Sequence, residues 1–433
     1  MERQITYAPH GHVLTNANVW SHDGQWIVYD VRSDPAGSQF DGTRIERVHV
    51  ETGEVEVLYE SQHGACCGVA TFSPADDRVA FILGPEHPTP EWSYSACHRR
   101  GVIVDASKPR QLIRLDARDI VAPFTPGALR GGSHVHVFSG DGQWVSFTYE
   151  DHVLNDQPAA EGVDFNQRNV GVAAPFGPVR VPTSHPRNHD GTAFCAVVTT
   201  TTNCPTPGTD EIDRAYEDAW IGARGYRRAD GRWQTRALAF LGDVVAANGT
   251  KVTELFIVDV PDDVTQVGAG PLQGTATRRP APPAGTMQRR LTFTTDRKHP
   301  GIQGPRHWPR SSPDGSQIGF LMRDDAGAVQ LWLVSPYGGS PRQLTSFAEE
   351  VASAFTWNAN GSSIALVAGG RVCVVEVATG QSRPIMAPCP VAEAPRPEAC
   401  VFSPDGSLVA YVREILGPTG RFNQLFVADV VPR

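Results

Sequence analysis

Along most of the chain, short runs of β-branched, aliphatic and aromatic residues are separated by polar turns centred on Asp-Gly or Asn-Gly. The stretch Ser311-Ser312-Pro313-Asp314-Gly315-Ser316-Gln317-Ile318-Gly319-Phe320 returns as Ser403-Pro404-Asp405-Gly406-Ser407-Leu408-Val409-Ala410-Tyr411. Weaker copies stand at Ser21-His22-Asp23-Gly24, Phe72-Ser73-Pro74-Ala75, Ser139-Gly140-Asp141-Gly142, Asn188-His189-Asp190-Gly191 and Asn358-Ala359-Asn360-Gly361, seven in all. An apolar run, a tight turn and a second apolar run spell a β-hairpin. From Asp314 through Asn360 to Asp405 the period is about 45 residues, the spacing of one four-stranded blade per repeat. One blade cannot bury both of its faces, whereas blades stacked radially cover each other. The pattern therefore predicts an all-β chain folded as a seven-bladed β-propeller.

The clearest repeat fixes the strand order. Arg306-His307-Trp308 opens an innermost strand, Gln317 to Met322 and Val329 to Val334 follow, and Arg342-Gln343-Leu344-Thr345 is outermost. The last repeat ends after Gln424 to Asp429 without such an outer strand, and its counterpart is Arg3-Gln4-Ile5-Thr6. The N-terminal strand is thus expected to complete the C-terminal blade and close the ring, which removes exposed edges. A single domain over residues 1–433 follows, with two breaks in the period. Thr209 to Gly222, with Ile212, Ala215, Tyr216, Ala219 and Trp220, reads as a short amphipathic helix in an insertion near 206–222. A Pro-rich stretch near 262–287, containing Arg278-Arg279-Pro280-Ala281-Pro282-Pro283, reads as an extended loop.

Composition narrows the function classes. The 42 glycines and 35 prolines suit many strands and turns, and a net charge of −9 argues against a general nucleic-acid binder. There is no P-loop, no strand-linked G-x-G-x-x-G and no G-x-S-x-G elbow. No stretch approaches the roughly 18–20 apolar residues of a membrane helix. The expected compartment is cytoplasmic, or periplasmic if a leader has been removed. The eight cysteines show no C-x-x-C pair and read as reduced.

Counting back from each turn aspartate, residues two apart share a strand face. Seven positions back stand Asn16, His134, Thr183, His307, Ser353 and Glu398, and five back stand Asn18, His136, His185, Pro309, Phe355 and Cys400. This inner wall is unusually polar. His134, His136 and His307, with Glu398, Asn16 or Gln303 as oxygen donors, form a candidate set for a divalent metal such as Mn, Zn or Fe. The same histidines would equally serve as hydrogen-bonding groups along a wet channel. Arg130, Arg187 and Arg306 lie close to these positions, and guanidinium forks favour an anionic small molecule or oligosaccharide in the channel. Trp92, Tyr94, Arg99 and Arg100 are candidates for a ligand-facing rim or for an ordinary loop.

The Arg-Gln-Leu-Thr and Ser-Pro-Asp-Gly units resemble TolB/WD40-like propeller repeats. Ala128 to Phe138, Arg168 to Pro175 and Pro305-Arg306-His307-Trp308 resemble the YidR-like family of bacterial proteins, a family of unknown function. More distantly, a propeller with channel histidines is similar to oligogalacturonate lyases, although this chain has no residue-by-residue motif match to them. That resemblance implies a histidine-held metal, with Arg130 or Arg306 binding a uronate carboxylate and His185 as the base of a β-elimination. Two function classes stand: a ligand- or protein-binding module using a polar channel, and a metal-dependent lyase of oligouronides.

Overall fold

The structure, a computed structural model, describes residues 1–15, 17–34, 37–156, 167–398 and 400–431. Seven antiparallel four-stranded sheets follow one another along the chain and form the blades of a β-propeller. Blade 1 begins at Gly11–Val13, blade 2 at Cys67–Phe72, blade 3 at Gly131–Phe138 and blade 4 at Ile212–Trp220. Blades 5, 6 and 7 begin at Arg310–Ser311, Thr356–Trp357 and Val401–Phe402. Each of these is an innermost strand, and the next two strands of each blade are buried almost throughout. The apolar cores lie mostly between blades: one cluster joins Val170 and Val172 of blade 3 to Ile212 and Phe240 of blade 4. No helix among the described residues is long and apolar enough to cross a membrane.

The repeated Ser-x-Asp-Gly is a turn device. At the first copy, Ser21 Oγ donates to Asp23 Oδ1 over 2.5 Å, Asp23 Oδ1 accepts from Gln25 N–H, and Ser21 Oγ accepts from Trp26 N–H. Gly24 takes the left-handed φ of 72° that closes the hairpin. The same bonds recur at Ser139/Asp141, Ser312/Asp314 and Ser403/Asp405. The tryptophan that ends several inner strands then ties neighbouring blades: Trp20, Trp220 and Trp357 donate their indole N–H to the carbonyls of Val401, Val137 and Arg310.

Closure occurs as the repeat predicts. Glu2–Gln4 pairs antiparallel with Gly420–Asp429, with Arg3 opposite Val427. Ile5 N–H bonds to the Leu425 carbonyl at 2.9 Å, and Glu2 accepts from Tyr411 Oη and from Arg413.

Two readings of the fourth unit are corrected. The expected helix near 206–222 is the innermost strand of blade 4, Ile212–Trp220. Its pairing slips between Ile212 and Ala215 and again between Tyr216 and Ala219. Each bulge adds a residue, so an alternating strand acquires the three-to-four spacing of a helix face. The Asn188-to-Gly191 copy is not a blade turn either. It lies in an excursion between two strands of blade 3, Arg168–Ala174 and Phe194–Val197. The fourth turn instead follows Trp220 and carries a small hairpin, Tyr226–Arg227 against Trp233–Gln234. The Pro-rich stretch is a turn-rich connection before the outer strand Met287–Arg290, with bridges from Val267 to Pro283 and Thr275 to Arg278.

Candidate functional site

The inner strands of blades 2, 3 and 4 share a bulge that decides what reaches the channel. Their pairing slips at the same register point, and Val69, Val135 and Glu217 there take φ of 59°, 56° and 57°. A β-branched or charged residue at positive φ is strained and persists only where its surroundings hold it. Two of the bulge residues, Val69 and Val135, line a cavity of about 120 Å³ together with Thr15, Arg306, Trp308 and Glu398. The residue after Val135 turns into the sheet stack. His136 is therefore fully buried, with Nε2 3.0 Å from Ser133 Oγ, and fills the space that a side chain at Gly101 would need.

This geometry divides the expected site. Arg306, His307 and Glu398 fall in one cluster with Glu217. Arg306 bridges to Glu398 at 3.4 Å, and His307 Nδ1 lies 2.8 Å from the Gly304 carbonyl. His307 Nε2 faces Glu217 Oε2 at 3.5 Å. Burial raises the Glu217 pKa above the usual carboxylate range, against the opposing pull of His307, Arg168, Arg310 and Arg306. Glu217 Oε2 and Glu398 Oε2 are both buried without a hydrogen-bond partner. Behind them Asp218 is pushed up to about 6 by burial, and the neighbouring Arg310 is lowered to about 10 for the same reason.

The remaining candidates lie elsewhere. His134 is buried, and desolvation with nearby Arg99 and Arg168 holds its pKa well below the usual value. His134 and His136 do not converge with His307, because the bulge breaks the two-residue alternation that would have aligned them. Gln303 is engaged with the Pro300 carbonyl and Arg323, and Asn16 lies outside the described residues. Among the described residues no three His, Cys, Asp or Glu side chains come together to hold a metal, so the expected donor set does not fit one. Arg130 is 1% exposed, ion-paired to Asp151 at 2.7 Å and bonded to the Thr275 and Arg278 carbonyls, which makes it an internal tie rather than a carboxylate holder. His185 belongs to the blade 3 excursion, where its Nδ1 accepts from Arg187 N–H and its ring lies 6.4 Å from Trp92.

Glu217 was hidden from sequence reading because its strand reads as a helix. Arg168, bound to Glu150 at 2.7 Å, was missed because no turn motif points to it. All eight cysteines are unpaired, as expected.

The comparisons with known proteins agree with this architecture. Residues 66–189 match the family described as a protein of unknown function, DUF3748. The chain is 49% identical to the uncharacterized protein YidR of Escherichia coli (strain K12) over 414 residues, 95% of this chain and 94% of that protein. It belongs to the YidR family. An oligogalacturonate lyase in complex with manganese superposes over 100% of this chain and 93% of its own with a TM-score of 0.58, at 12% identity. The oligogalacturonate lyase of Vibrio parahaemolyticus does so over 99% and 93%, with a TM-score of 0.56 at 10% identity. A puromycin-hydrolyzing peptidase of Mycobacterium tuberculosis matches 98% of this chain with 55% of its own, with a TM-score of 0.52 and 15% identity. At such identities the likeness is one of fold.

Proposed function

We propose that this YidR-family chain is a ligand-binding propeller that takes an anionic, hydroxyl-bearing small molecule or oligosaccharide at the mouth of its channel. The observation that carries the reading is the cluster of Arg306, His307, Glu217 and Glu398, in which Glu398 Oε2 is buried without a hydrogen-bond partner and Glu217 Oε2 is met by His307 Nε2 at 3.5 Å. A carboxylate oxygen accepts hydrogen bonds, so an oxygen left without a partner calls for a hydroxyl donor. Arg306 is 47% exposed and offers its guanidinium to a carboxylate. An oligouronide supplies both groups at sugar-ring spacing.

Calorimetric titration of digalacturonate against wild type, Arg306→Ala and Glu217→Gln tests this. Saturable binding, weakened about tenfold or more in each variant and absent for a neutral disaccharide, is the expected result. No binding of digalacturonate would overturn it, and capture of a protein over this face would then become the working model.

One observation favours the lyase reading as a second possibility. His307 and Glu217 stand beside Arg306, so a uronate held through its carboxylate has a proton acceptor at hand. A manganese-bearing neighbour of the same fold supports looking for a metal, but no donor set is assembled here and no step passes through one. Release of an unsaturated product, followed by its absorbance, separates turnover from binding.

A further inference from the structure

A second cavity, of about 340 Å³, opens between blades 2 and 3, and none of its lining residues lines the channel cavity. Its walls bring together Arg100, Arg114, Arg118 and Arg187 with Trp92 and His189. These residues come from a blade 2 loop, two blade 2 strands, the link to blade 3 and the blade 3 excursion. The guanidinium groups are held in place mostly by backbone: Arg118 donates to the carbonyls of His98 and Gly131, and Arg187 to those of Glu86 and His87. Arg118 and Arg187 also each lie 5.7 Å from the Trp92 ring.

Neutral carbonyls orient a cation without cancelling it. The wall contains two carboxylates, and both are already committed, Glu86 to Arg100 at 2.5 Å and Asp190 to Arg180 at 2.6 Å. The Arg114 guanidinium makes no hydrogen bond or ion pair with any described residue, while its carbonyl accepts from Thr192. The cavity therefore carries an excess of positive charge, and guanidinium forks match an oxyanion with several acceptor atoms.

His189 adds a directional group. Its Nδ1 lies 3.4 Å from the Arg187 carbonyl and so carries the proton, while Nε2 is buried with no partner. Burial, with Arg118, Arg100 and Arg114 nearby, keeps the ring neutral. Nε2 is then a bare acceptor beside a cationic wall, placed for a hydroxyl on the same ligand that brings the anion.

We infer that this cavity is a separate binding site for a small phosphate ester bearing a hydroxyl group, with Arg114 and Arg187 on the phosphate and His189 Nε2 accepting from the hydroxyl. Its volume is within the range of about 300–1,000 Å³ usual for small-molecule sites.

The test is calorimetric titration of the full chain with glucose 6-phosphate, glucose and galacturonate, using wild type, Arg114→Glu, Arg114→Gln and Arg306→Ala, each checked for cooperative unfolding. Glucose 6-phosphate is expected to bind at one site and to lose about tenfold or more in affinity in both Arg114 variants. Rising salt weakens it, Arg306→Ala leaves it unchanged, and glucose does not bind. Absence of glucose 6-phosphate binding, or binding indifferent to Arg114, overturns the assignment. Loss of binding in Arg306→Ala would move the ligand to the channel, and equally tight binding of the singly charged galacturonate would overturn the phosphate assignment. Digalacturonate titrated in parallel reports on the channel independently.

Discussion

At Arg130 a side chain with the chemistry of a ligand clamp is spent on the fold. Its guanidinium is enclosed by Asp151 and by two carbonyls of the Pro-rich connection, so it ties blade 3 to a segment of blade 4. Removing one partner of a buried ion pair leaves the other charge uncompensated, so Arg130→Ala is expected to cost about 3–5 kcal/mol. Urea unfolding reads this directly, and the Arg130→Met/Asp151→Leu double substitution should recover part of it. An Arg130→Ala protein of unchanged stability that bound digalacturonate poorly would restore the carboxylate-holding role. His12 makes a parallel case. It is fully buried with Nδ1 2.8 Å from the Asn423 carbonyl, and burial, aided by neighbouring His10, lowers its pKa to about 3. Because the unfolded chain protonates first, this histidine's contribution to stability is intact above its unfolded pKa of about 6.5 and falls on acidification by about 1.4 kcal/mol per pH unit down to the folded pKa. His12→Asn should flatten the fall in urea stability between pH 6.5 and 5 by one proton's worth. An unchanged slope would show that His12 is not held neutral.

Among the elements, the strand Glu2–Gln4 and the residue that follows it close the ring. Ile5 is 3% exposed and belongs to the same apolar cluster as Val412, Leu425 and Val427. Ile5→Ala is expected to cost about 2–5 kcal/mol in chemical denaturation, the range for emptying a packed aliphatic site. A loss below 1 kcal/mol would mean that closure does not depend on that contact. This strand was legible because its sequence, Arg-Gln-Ile-Thr, matches the outer-strand Arg342-Gln343-Leu344-Thr345. So were the hairpin turns, since Ser-x-Asp-Gly is read by a fixed set of bonds. The bulges were not, because residues as unlike as Val135 and Glu217 occupy the same positive-φ position. Counting in twos from the turn set His307 and Glu398 at one level, and the structure joins them through Arg306 and Glu217. Across a bulge the same count sent His136 to the channel and left Glu217 unseen.

Across the whole molecule, closure turns seven weakly stable blades into one rigid frame on which charged side chains from distant parts of the sequence meet. Glu217, Arg306, His307 and Glu398 come from the inner strand of blade 4 and from the segments entering blades 5 and 7. Arg306 is exposed, and the buried Glu398 Oε2, without a hydrogen-bond partner, carries a desolvation cost. Under the proposed function, that cost is offset when a ligand supplies the missing donor. The most direct test is a crystal structure of the protein grown with trigalacturonate. The account predicts a sugar acid at the mouth, with its carboxylate on Arg306 and hydroxyl groups within hydrogen-bonding distance of Glu217 and Glu398. An occupied ligand bound elsewhere on the propeller while the mouth holds only water would contradict it.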